Sequence, residues 1–490
     1  MRAAFLKFNR DAPGRGPWQT GPRCTDSTSG GVSWLIRAMT ALEGDKMNPE
    51  NSNNRTIGAV RGIFSAAALL SVVLTACGST AVPGSEASIR NAAAQSNVTS
   101  LSITPRSDGG LSVTGLLSPD GASRVPFAAR FPAAWNGASV LEAHGYVTPG
   151  MAEAVPDPAK DPSFGLLTAA YAQGYVAANT AYAKTGYAVK EGVAANKALH
   201  DFLASAGASR QYITGISMGG DITVALAEKY PNDYVGALPY CGVVAGWRAE
   251  ERFLLDFRVV YDYYTKNTPY ALPGNGDALT PNAALTVPVV QAAVVKLFTA
   301  AAQGDPAAKG IIGRIVAVTG APDAPVSAVG FITPLASGVY GLSDYLATTG
   351  GTGYSNATKV YSGSGSVATD AELNAGVQRF TASAASSAYL DANYTPTGKF
   401  TAKMLSFHNT SDPLVPYALE SEWKGIVAAA GNSANLVQQT VQPKPIDNTS
   451  TTGPAHCYFS NAEVVGAWND LRHWVENGVK PADGKDITNK

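Results

Sequence analysis

Charge is scarce in this chain. Of its 490 residues 15% are Asp, Glu, Lys or Arg, and the formal net charge is −1. A nucleic-acid partner needs a face rich in Lys and Arg to neutralise phosphate, and a polybasic membrane patch needs a block of like charge; the sequence offers neither. Cysteine is also rare, with four residues: Cys24, Cys77, Cys241 and Cys457. There is no CxxC pair and no Cys/His cluster at zinc spacing, so no metal is expected. Runs such as "SGSGS" at 362–366 lead into no phosphate-binding helix, and no cofactor is expected either. Only five histidines occur, which makes the search for a general base short.

What the chain does have is glycine and proline, 50 and 30 residues, among many small polar ones. That composition fits a neutral, loop-rich surface of the secreted kind. The N-terminal region points the same way. Residues 1–46 carry no apolar periodicity and read as a non-native extension, with Met47 as the start. Arg55 and Arg61 then precede an apolar run at 63–76, too short for the roughly 20 residues of a membrane span. It ends in "LTAC", which resembles a lipobox and makes Cys77 the expected lipidation site of a signal peptide at 47–77. A plain signal peptide and an uncleaved anchor are the alternatives; each implies export, and the membrane enters only as an anchor. Residues 78–96 read as a small, polar tether.

From residue 97 the pattern becomes regular. "VTSLSITP" and "LSVTGLLSP" alternate around the turn "RSDGG" and read as an antiparallel pair, with "RVPFAARFP" as a further strand. Strand and helix signals then alternate through "ASVLEAHGY", "SFGLLTAAYAQG", "YVAANTAY", a long amphipathic stretch at 188–207, "QYITGIS" and "YVGALPYCG". This rhythm indicates an α/β fold: a mostly parallel central sheet with helices on both faces. Ligands bind at the carboxyl ends of such strands, which here carry His144-Gly145-Tyr146, Ser217 and Cys241. The rhythm stops over 243–400, a stretch too long for a loop and therefore an inserted, mainly helical lid. It resumes over 401–480 with "KMLSFHNTSDPLVP", "NLVQQTVQ" and a closing helix at 461–478, and 481–490 reads as a tail. The core is thus expected over 97–242 and 401–480.

Gly215-Ile216-Ser217-Met218-Gly219 has the G-x-S-x-G form between an apolar strand and a helix, and Asp221 sits in that helix's first turn, where negative charge suits the dipole. A nucleophilic serine on a sharp strand-to-helix turn needs small neighbours two positions away, the role given to Gly215 and Gly219. Serine also needs a base and an orienting acid, later in the chain in this arrangement. His456, in the loop between the last core strand and the last helix, is the expected base. His144 reads as a loop-shaping residue, His408 as a core residue, and His200 and His473 as helix residues. Asp412 in "NTSDPLVP" is the expected acid, with Asp447 in "KPIDNTS" as its rival. The amides of Met218 and Tyr146 are the expected oxyanion donors.

"HGY", "GISMGG", "SDPLVP" and "AHCYF" together resemble the α/β-hydrolase superfamily, and more narrowly secreted bacterial hydrolases with a long helical lid. The resemblance implies an α/β-hydrolase fold, with Ser217, Asp412 and His456 as a triad and Tyr146 with Met218 as an oxyanion hole. The His456-Cys457 pair is similar to that of tannase and feruloyl esterase-like enzymes, which bridge it to a cysteine beside the serine; here Ile216 stands at that place. A related bond, Cys241–Cys457, is expected instead, with two buried thiols as the alternative.

These readings point to a carboxylic ester hydrolase acting on a small molecule through an acyl-enzyme. One alternative is an exopeptidase in which Glu250 and Glu251 hold a substrate ammonium, although adjacent acids on a helix read first as a solvated face. The other is a non-catalytic surface lipoprotein on a hydrolase fold.

Overall fold

The computed structural model describes residues 82–153, 155–321, 326–443 and 455–490. The export segment with Cys77, and Asp447, lie outside the described residues. Strands β1 (Thr99–Pro105), β2 (Leu111–Leu117), β3 (Val125–Phe131), β4 (Ala138–Ala143), β5 (Val176–Thr180), β6 (Arg210–Ile216), β7 (Gly236–Tyr240), β8 (Lys403–Asn409), β9 (Leu436–Val441) and β10 (Lys485–Asp486) form one sheet. Their order is β1-β2-β3-β5-β4-β6-β7-β8-β9-β10. The pairs β1–β2, β2–β3 and β3–β5 are antiparallel, and every pairing from β5 to β10 is parallel.

The parallel strands are short apolar runs because both of their faces are covered. On one face lie helices α1 (Glu86–Gln95), α3 (Val189–Ser205), α4 (Met218–Lys229) and α11 (Ala418–Ala429), which contribute Ile89, Val193, Ile222 and Trp423 to one core. On the other, α2 (Leu166–Ala172) and α12 (Asn461–Asn477) contribute Leu166 and Trp468 to a second. Helix α12 starts at a capping box between Ser460 and Glu463 and stops at Gly478 in the left-handed conformation.

Between β7 and β8 the described residues form only helices: α5 (Trp247–Thr265), α6 (Val287–Ala302), α7 (Pro306–Thr319), α8 (Ala328–Thr349), α9 (Val367–Gly376) and α10 (Ala384–Asn393). This lid has a core of its own, built around Phe257, Tyr261, Leu297, Ile315 and Phe331.

Two boundaries read from the sequence are corrected. The stretch 78–96 is not a tether throughout. Ser85 caps α1 by accepting from the Ser88 amide, and the helix buries Ile89, Ala92 and Ala93 against the sheet. Small residues had passed for linker composition because a helix that packs through alanine has little apolar periodicity to show. The stretch 481–490 is not a free tail either: β10 extends the sheet beside β9, and Ile487 is buried.

The fold also buries one carboxyl with no partner. Glu142 on β4 is 1% exposed, and neither of its oxygens has a hydrogen-bond partner among the described residues. Burial pushes its pKa up to about 8. The folded chain therefore holds a proton at Glu142 that the unfolded chain releases near pH 4.5. The resulting stability is fully present below that pH and is lost as pH rises through about 8. Glu142→Gln should unfold at the same temperature as the parent near pH 4 and several degrees higher above about pH 8, a difference on the order of a few kcal/mol, read by thermal melts across that range.

Candidate active site

Strand β4 stands between β5 and β6, so the chain leaves its two sides in opposite directions and opens a crevice at the carboxyl ends. The turn from β6 into α4 places Ser217 there, at φ 56° and ψ −121°. This is a region that non-glycine residues rarely occupy. The Ser217 amide donates to the Tyr240 carbonyl at 3.2 Å, and the Ser217 carbonyl accepts from Gly220 at 2.9 Å and Val243 at 3.3 Å. Gly215 and Gly219 leave room for the turn: a Cβ on Gly219 would overlap the Ala143 carbonyl, and one on Gly215 the Gly219 carbonyl.

His456 arrives from the loop before α12. Its Nε2 lies 2.8 Å from Ser217 Oγ, and its Nδ1 lies 2.8 and 3.0 Å from the two Asp412 oxygens. Nδ1–H therefore donates to Asp412, which leaves Nε2 as the acceptor for the serine hydroxyl. Asp412 follows β8, is fully buried, and also accepts from the amides of Leu414, Val415 and Cys457. Burial alone would raise its pKa, but the interaction with His456 outweighs that, and Asp412 stays below the usual carboxylate range.

Cys241, at the end of β7, is disulfide-bonded to Cys457, with the two Cα atoms 5.3 Å apart. Both cysteines have positive φ, 42° and 55°. The bond ties the loop that carries His456 to the strand beside β6.

The expected oxyanion donors face the same cavity. Met218 opens α4, where backbone amides have no intrahelical partner, and Tyr146 follows β4. Both line a cavity of about 800 Å³ with Ser217 and His456. Behind Tyr146, the His144 ring stacks on Tyr182 at 3.7 Å and donates from Nδ1 to the Gly145 carbonyl at 2.8 Å. His144 thus shapes the loop, as its position implied. His408 is buried and engaged with the Val415 carbonyl and Glu420, His200 with Asp201 and the Asp233 carbonyl. His473 is exposed.

Two readings of acidic residues are corrected. Glu250 and Glu251 are not a solvated face but 2% and 5% exposed, and both line the cavity. Burial first, and then the negative charge of Asp412, holds Glu250 well above the carboxylate range. Glu251 accepts from the Tyr345 hydroxyl at 2.8 Å and the Gly353 amide at 2.9 Å, and burial pushes it up to about 7. Asp221 is likewise 1% exposed and held well above its ordinary value by burial. Burial thus disfavours the charged form that would complement the dipole of the helix's first turn. Period alone did not separate these cases, because a stripe facing a closed cavity has the same polar composition as one facing water.

The sheet order, the strained serine turn and the helical insert between β7 and β8 define an α/β-hydrolase fold. No known sequence family and no curated protein matches this chain. Solved structures of similar path include feruloyl esterase B from Aspergillus oryzae, with 13% identity over 79% of this chain and 88% of that one, at a TM-score of 0.44. Tannin acyl hydrolase from Aspergillus niger has 13% identity over 79% and 84%, at 0.43. The cell wall degrading esterase LipA from Xanthomonas oryzae, in a ligand-bound form, has 13% identity over 76% and 98%, at 0.40. At such identities the chemistry has to be read from this chain's own side chains.

Replacing both Cys241 and Cys457 by alanine should lower stability by about 2–5 kcal/mol, measured by denaturant unfolding, and the parent should yield the Cys241–Cys457 peptide pair only without reductant.

Proposed function

We propose that the chain is an exported serine hydrolase that cleaves carboxylic esters through an acyl-enzyme. The observation that carries this reading is the continuous relay from Ser217 Oγ to His456 Nε2 and from Nδ1 to a buried, ionised Asp412, opening onto one cavity. Ser217 Oγ attacks the acyl carbon while Nε2 takes its proton. Asp412 holds the tautomer and stabilises the imidazolium. The oxygen that gains charge lies against the Met218 and Tyr146 amides, each worth about 10²–10³ in rate. The imidazolium then returns the proton to the leaving alcohol, and water repeats the sequence to release the acid.

An ester is favoured over a peptide with a free amino terminus. A substrate ammonium would need an ionised carboxylate, whereas burial disfavours the charged form of Glu250 and the Glu251 oxygens are already occupied. Export rests on the 47–77 signal pattern and agrees with a disulfide; lipid attachment at Cys77 belongs to the same proposal.

A fluorophosphonate should label the parent protein and not Ser217→Ala. His456→Ala and Asp412→Asn should lower kcat by about 10³–10⁴-fold. Across a panel of p-nitrophenyl esters and aminoacyl amides, turnover should fall on the esters. Labelling that survives in Ser217→Ala, or turnover confined to the amides, overturns the reading.

A further inference from the structure

Helix α5 runs away from the nucleophile along the wall of the cavity. Its start is tied to Ser217: the Val243 amide donates to the Ser217 carbonyl at 3.3 Å, and the Gly246 amide to the Val243 carbonyl at 3.0 Å. Glu250, Leu254 and Arg258 follow at intervals of four, so they share one face, and all three line the cavity. From Glu250 to Arg258 the helix axis advances about 12 Å. Leu254, Leu335 and Val339 make the wall between them apolar.

Arg258 is an unusual residue for such a wall. It is 9% exposed, and its Nε donates to Asp262 Oδ2 at 2.6 Å. Its Nη2 is buried without a partner among the described residues. A buried guanidinium left with an unmatched donor carries a desolvation penalty that an acceptor would remove, and a carboxylate matches its planar fork best. The other acid at this end of the cavity, Asp277, is committed to its own loop: its Oδ1 accepts from the amides of Leu279 and Thr280 and from Gln378. At the near end Glu250 is 2% exposed, and that burial disfavours its negatively charged form.

We infer that the cavity is built for esters whose acyl chain ends in a carboxylate, the half-esters of dicarboxylic acids, and that Arg258 binds that terminal carboxylate while Ser217 takes the ester carbonyl. This rests on the ester-hydrolase reading for its chemistry, and on the Arg258 geometry for its specificity. Arg258 is a specificity residue and takes no part in bond breaking.

The test compares mono-p-nitrophenyl esters of the series from succinic to sebacic acid with p-nitrophenyl alkanoates of equal length. The parent should prefer the acid-terminated ester by about 10–100-fold in kcat/KM at its best length, the worth of one hydrogen-bonded charge. In Arg258→Met the ratio should fall to one or below. That variant leaves Asp262 buried without its partner, so Arg258→Met with Asp262→Asn is measured beside it, and Asp262→Asn alone should keep the preference. A ratio taken within one variant cancels any loss of folded protein, and fluorophosphonate labelling reports an intact nucleophile in each. A parent that shows no preference at any length overturns the inference, as does a preference that persists in the labelled Arg258→Met protein. If the parent neither labels nor turns over any ester, the ester reading itself has failed. Calorimetry then decides the Arg258 site alone: suberate should bind Ser217→Ala more tightly than octanoate does, and lose that advantage when Arg258→Met is added; equal binding overturns it.

Discussion

The imidazole of His456 reaches Ser217 across 239 positions of sequence, and the arrangement works only while that ring is held from both sides. On one side Asp412, buried just after β8, accepts from Nδ1–H and from the Cys457 amide. On the other, the disulfide fastens Cys457 to the end of β7. The strands beneath these contacts are neighbours in the parallel sheet, so the spacing of Ser217, Cys241 and Asp412 is the spacing of β6, β7 and β8. A slip in that sheet would separate all three at once.

Much of the remaining structure supports that restraint. The serine turn keeps its positive φ because glycines on both sides let backbone meet backbone, and because the Tyr240 carbonyl accepts its amide. The lid adds a second wall with its own core, which lets α5 stand rigidly over the nucleophile and carry polar side chains into a closed space. Burial there changes the chemistry of ordinary residues. Burial disfavours the charged form of Glu250, and Arg258 keeps a buried donor without an acceptor among the described residues. An apolar length of cavity wall lies between those two groups.

Legibility from sequence differed by region for physical reasons. The doubly covered sheet was readable because parallel strands are short apolar runs and their helices have a clear face, as β4 to β7 and α3 show. The hydrogen-bonded set of Ser217, Asp412 and His456 was readable because a serine, an acid and a histidine are expected in that order along the chain, and few histidines compete. In the lid, α7 and α8 gave no signal among small residues, and residues 377–383 separate α9 from α10. The helix at 86–95 and the strand at 485–486 were missed because alanine packing and a two-residue strand leave almost no pattern.

By itself the sequence determined the fold class, the residue types for nucleophile, base and acid, and the glycines their turn requires. Those follow from local rules: the period of buried faces, the space a strained turn needs, and chain order. Only the tertiary structure decided which charges lose their solvent. Helical spacing says that Glu250, Leu254 and Arg258 share a face; it does not say whether that face meets water or a closed cavity. That difference is made by the lid packing over the sheet, and it turns a surface-like stripe into part of the cavity wall.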